Sequence, residues 1–124
     1  MERDELMDVL LDLKHDLGKH LPRPVRWLPP DASADDLRAA LRQALERTHG
    51  GRSAAALWAD AEGELASVAQ RPAFQALALA VQRALAWGAR LDDPDAALDR
   101  AAVEADLLAV GPAVAALMDA VAHG

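Results

Sequence analysis

The stretch DELMDVLLDLKHDLGKHLPRP, residues 4–24, decides the fold class. Leu6, Leu10, Leu13 and Leu17 step by four, three and four. That spacing lays one apolar stripe along a helix of 3.6 residues per turn. Met7, Val9, Leu11 and Leu21 widen the stripe into a core-facing side. The pattern predicts a helix from about Asp4 to His20. Pro22 and Pro24 end it, since each lacks a backbone N–H donor and fixes φ.

The helical period continues outward from this stretch, and no run alternates with period two for long enough to form a strand. LPRPVRWLPP, residues 21–30, reads as a stiff extended connection in which Val25, Trp27 and Leu28 fold back onto the bundle. Ser33, with Asp36 three residues on, is a capping-box start for a second helix carrying Leu37, Leu41 and Leu45. Gly50-Gly51 is its expected C-cap. A third helix is expected over Ser53 to Gln70, with Leu57, Trp58, Leu65 and Val68. Pro72 opens a fourth with Phe74, Leu77, Val81, Leu85 and Trp87. Asp93-Pro94 pairs an N-cap with proline at the first helical position, which predicts a fifth helix from Asp95 to Val110. Gly111-Pro112 should break it before a last helix with Val114, Leu117, Met118 and Val121. The expected architecture is all-α: a compact bundle of five to six helices, with a proline-rich connection after helix 1, in one domain over residues 1–124.

Cysteine is absent, which excludes disulfides, thiolate metal sites and a cysteine nucleophile. The acidic N-terminus has no charged segment followed by an apolar run, so no signal peptide is expected. No stretch resembles the roughly 18–20 charge-free residues of a membrane span. These features point to a soluble, cytoplasmic protein that does not engage membranes. The usage is rich in alanine, leucine, arginine and aspartate, without asparagine or tyrosine, as in a GC-rich bacterial genome. The formal net charge is −7, and the arginines follow no stripe. An acidic body repels phosphate backbones, so nucleic acid is not an expected partner.

Against that background, KHDLGKH at residues 14–20 stands out. It holds both lysines of the chain and two of its four histidines. On a wheel of about 100° per residue, His15 lies opposite the leucine stripe, beside Asp8, Asp12 and Lys19, and is expected on the polar face. His20 falls at the stripe's edge, where a histidine favours the negative end of the helix dipole. Asp16 and His20 share a ridge, but two side chains make no metal site. No metal or cofactor is expected.

HDLGK, residues 15–19, resembles the His-Asp pentapeptide of the HD-domain metal-dependent phosphohydrolases. That resemblance implies a metal-ligating His15-Asp16 pair and a phosphate-binding Lys19. It also requires a further histidine well upstream, and none of the fourteen preceding residues is one. An exposed histidine on a small bundle also looks like a histidine phosphotransfer domain, and His-Asp-Leu resembles the H-box of sensor kinases. This implies His15 as phosphoacceptor with Lys19 beside the phosphoryl group. Gly18 and Lys19 stand in reversed order relative to the usual lysine-glycine pair of phosphotransfer domains. Asp8, Asp12 and Asp16 would repel a phosphoryl dianion.

The favoured expectation is a docking face. Asp12, Lys14, His15, Asp16 and Lys19 form a mixed-charge surface beside the proline segment with Arg23, Arg26 and Trp27. Tryptophan and arginine are enriched at binding hot spots, and a stiff segment loses little entropy on binding. The expected protein is a non-enzymatic adaptor or accessory of a regulatory or signalling pathway, with another protein as partner. Trp58 and Trp87 are expected in the core, and no role is expected for His49 or His123. The alanine-rich later helices leave room for a homo-oligomer.

Overall fold

A computed structural model describes residues 2–124, the side chain of His49 excepted. The described residues are helical with no strand. The helices are α1 (Arg3–Leu13), α2 (Arg23–Arg26), α3 (Ala34–Glu46), α4 (Ala54–Glu64), α5 (Pro72–Leu91), α6 (Arg100–Leu108) and α7 (Val110–His123). A π-helical turn, Lys14–Lys19, continues α1, and single 3₁₀ turns cover His49–Gly51 and Ala66–Val68.

The leucine stripe works as its spacing requires. Leu6, Leu10, Leu13, Leu17 and Leu21 are all buried, with Leu41, Leu65, Leu77, Val81, Val103, Leu107, Val114 and Leu117 in the same core. α1 and its π turn pack on α7, and so does α5. Trp58 stacks on Phe74 with ring centroids 5.9 Å apart. Trp87 is buried and donates its indole N–H to Asp106 at 2.8 Å. Both tryptophans belong to the core.

Ser33 caps α3 as its sequence requires. Its hydroxyl accepts from the Asp36 N–H at 3.1 Å, and the Asp36 carboxylate accepts from the Ser33 N–H at 3.2 Å. α3 stops at Glu46, before the expected glycine cap. Gly50 and Gly51 follow with φ of 84° and 79° and turn the chain toward α4. The expected role-free His49 lies outside the described side chains.

Four boundaries differ from expectation. Residues 22–30 are not extended. α2 forms one helical turn with Pro22 and Pro24 at its N-terminal end, where a proline sacrifices no intrahelical hydrogen bond. The third helix ends at Glu64, not Gln70, and a 3₁₀ turn carries Val68 into the core. Asp93-Pro94 starts no helix. The Asp93 carboxylate accepts from the Asp95 N–H, and Arg38 of α3 donates to the carbonyls of Arg90, Pro94 and Ala96. The backbone there is held as a loop, and Asp99 caps α6 instead by accepting from the Ala101 N–H. Asp92 and Asp93 therefore follow the end of α5. The break before the last helix comes at Ala109, and Gly111 and Pro112 sit inside the first turn of α7.

Residues 100–123 are long and apolar enough to cross a membrane by length and composition, although no such stretch was expected. Their stripe of Val103, Leu107, Val110, Val114, Leu117 and Val121 is buried in the bundle core. The carbonyl end of α7 is held by two distant cations. Arg71 donates to Ala120 at 2.7 Å and Arg3 to Ala122 at 2.9 Å, where a cation suits the helix dipole.

Candidate functional site: a basic cleft at the end of the first helix

The π turn builds the site. In an uninterrupted α-helix His20 would lie about 140° around the axis from His15. Here the His20 N–H bonds to the His15 carbonyl at 3.2 Å, an i to i−5 closure. The wider turn puts both side chains on one side. Their Nε2 atoms are 3.1 Å apart, and the rings meet edge to face with centroids 4.5 Å apart. The polar-face exposure expected for His15 holds, and the His20 ring stands against it.

Gly18 makes the turn fit. A Cβ on Gly18 would lie 3.1 Å from the Gly111 Cα, so the two backbones touch where the π turn crosses the start of α7. The close approach of the two backbones rests on this pair of glycines.

Arg23, on α2, donates to His20 Nδ1 at 3.0 Å. Arginine has no acceptor, so His20 Nδ1 must accept. Its proton then sits on Nε2 and points at His15 Nε2. The result is a directed chain from guanidinium to His20 to His15. The Arg23 guanidinium also lies 5.7 Å from the centre of the Trp27 ring, within cation–π range.

Trp27 does not fold back. It is 76% exposed, while its neighbour Val25 is fully buried and Leu28 is partly so. The exposed ring stands on a fixed base. Arg100 of α6 donates to the carbonyls of Leu28 and Pro29 at 2.6 Å each and of Val25 at 3.3 Å. Glu104, one turn on, holds the same guanidinium at 2.9 Å. These bonds tie down the carbonyl end of α2 on both sides of Trp27.

Between the π turn, α2 and the α6–α7 junction lies a cleft of about 730 Å³. Lys14, His15, Lys19, Arg23, Arg26 and Trp27 line it, with Leu11, Gly18, Pro22, Leu108 and Gly111. The lining holds four permanent cations and no carboxylate. Leu11, assigned above to the core face, is 51% exposed and belongs to this cleft.

Six of the eight expected contact residues are thus brought together. Asp12 and Asp16 are not among them. They line a smaller depression with Arg52, Asp60 and Glu64 against α4. The surface expected to be mixed in charge is divided by the helix into a basic side and an acidic one. His15 and Asp16, neighbours in the HD-like motif, line different depressions. Among the described residues, no three histidine or carboxylate side chains come together as metal ligands.

Leu108 and His20 were missing from the expected site. Leu108 had a signal in the sequence. Leu10-Leu11 and Leu107-Leu108 are doubled leucines, and two adjacent helical side chains lie about 100° apart. In each pair the first is buried and the second lines the cleft. Comparison with protein-family models, with curated proteins and with solved structures found no match.

Proposed function

We propose that this protein is a non-enzymatic docking module whose partner, another protein, seats in the cleft beside Trp27. One observation carries the reading. Among the described residues, the large apolar side chains left exposed are Leu11, Trp27, Leu79 and Leu108, and three of these four line this single cleft. Scattered exposed leucines mean little, whereas their concentration in one concave site marks an interaction surface. The rigid seat of Trp27 supports it further. The backbone that carries the anchor is already fixed by the Arg100 bonds, so little backbone entropy is left to lose on binding.

The test is site-specific photo-cross-linking in the native lysate, with benzoylphenylalanine in place of Leu108 and, as an exposed apolar control, in place of Leu79. A discrete adduct with a second protein is expected at 108 and not at 79. Trp27→Ala should abolish it, at a cost of about 2 kcal/mol or more in affinity. The same substitution should leave the melting temperature unchanged, because the ring is 76% exposed. Equal labelling at both positions, or none at 108, would refute the docking reading.

A further inference from the structure

The charge of the cleft narrows the kind of partner. The ion pairs in the described structure are Arg42–Glu46, Arg52–Asp60 and Arg100–Glu104. None of them includes a cleft cation. Arg3, Arg38, Arg71 and Arg100 are engaged with backbone carbonyls. Among the described residues Lys14, Lys19 and Arg26 make no ion pair and no bond to a backbone carbonyl, and Arg23 donates to His20 Nδ1 and lies over the Trp27 ring. In a chain of net charge −7, unpaired cations would be expected near some of its twenty acidic residues. Instead the nearest carboxylates in sequence, Asp12 and Asp16, are turned to the far side of the helix.

We infer that the occupant is an acidic amphipathic segment of the partner protein. Its apolar side chains lie on Leu11, Leu108 and Trp27, and its carboxylates reach Lys14 and Lys19 on one wall and Arg23 and Arg26 on the other. This inference rests on the docking reading and adds the chemistry of the ligand. A purely apolar segment would leave four cations facing a desolvating surface without partners, which is unfavourable. A purely acidic one would leave the apolar lining uncovered. Only a segment with both satisfies the whole cleft.

The experiment uses two synthetic probes. One is a short amphipathic peptide of glutamate and leucine; the other is its twin with glutamine replacing glutamate. Each is titrated into the full chain and followed by backbone amide NMR. The glutamate peptide should move resonances of Lys14, Lys19, Arg26 and Leu108 and leave those around Leu79 in place. The glutamine twin should bind about tenfold more weakly, the sum of several exposed ion pairs. In a Lys14→Gln/Lys19→Gln/Arg26→Gln variant the advantage of the glutamate peptide should shrink to about twofold, the share left to Arg23. If the twins bind the wild-type cleft equally, the acidic assignment is wrong while docking stands. If neither moves a cleft resonance, the cleft has no affinity for acidic apolar segments and the inference falls. The cross-link at position 108 still decides the docking reading independently.

Discussion

His20 accepts from Arg23 at Nδ1, and that single contact orders the local chemistry. With Nδ1 occupied, the His20 proton lies on Nε2, aimed at the Nε2 of His15. Two imidazole nitrogens 3.1 Å apart could otherwise suggest a shared metal ion. A metal at His20 Nε2 would displace the proton from that nitrogen to Nδ1, where a guanidinium already donates. The pair therefore reads as a hydrogen-bond relay. Long-range ¹H–¹⁵N spectra of the wild-type protein should show His20 with a protonated Nε2 and a bare Nδ1. Arg23→Ala should allow His20 to sample both tautomers. A protonated Nδ1 in the wild type would dismiss the relay. At the same scale, sequence reasoning went furthest with Lys14, His15, Lys19, Arg23, Arg26 and Trp27, which do share one cleft. It failed for His20, because a uniform helical wheel cannot foresee where the backbone will widen by one residue per turn.

At the scale of the element, the π turn is sustained by glycine. Gly18 and Gly111 allow the backbone of the turn to lie against the first turn of α7. A methyl at position 18 would approach a backbone atom to 3.1 Å, and a backbone cannot rotate aside as a side chain can. Gly18→Ala should therefore destabilise the protein by about 1–3 kcal/mol, the usual cost of overpacking. Differential scanning calorimetry would register it as a lower melting temperature. Gly111→Ala should cost less, since its Cβ would come no nearer than 3.4 Å to the Gly18 carbonyl oxygen, close to an ordinary contact. An unchanged melting temperature in Gly18→Ala would mean that the crossing adjusts freely. Elements with a strong apolar period were legible in advance: the leucine stripe of α1, the capped start of α3 and the proline start of α5 all form where expected. Two of the misread stretches share a cause. α2 and the loop after α5 are set by distant arginines, Arg100 and Arg38, whose guanidinium groups satisfy backbone carbonyls more than fifty residues away in the chain. No local propensity records such a contact.

For the whole molecule, a basic cleft on an acidic body has a kinetic consequence. At low ionic strength the net charge of −7 acts over a long range and repels an acidic segment before it reaches the cleft. Near 0.1 M salt the screening length falls to about 10 Å, and only the local cations are felt at contact. Association and dissociation should therefore respond to salt in different ways. Raising salt from about 0.01 M to about 0.1 M should speed association of the glutamate–leucine peptide, because distant repulsion is screened. Dissociation should also quicken, because the contacts with Lys14, Lys19, Arg23 and Arg26 weaken. Ordinary electrostatic steering between opposite charges gives the reverse for association, a rate that falls steeply with salt. Stopped-flow fluorescence of Trp27, exposed on the cleft wall, reports both rates directly. An association rate that falls with salt would show that the four cations govern the field well beyond the cleft, and that the acidic body plays no part in admitting its ligand.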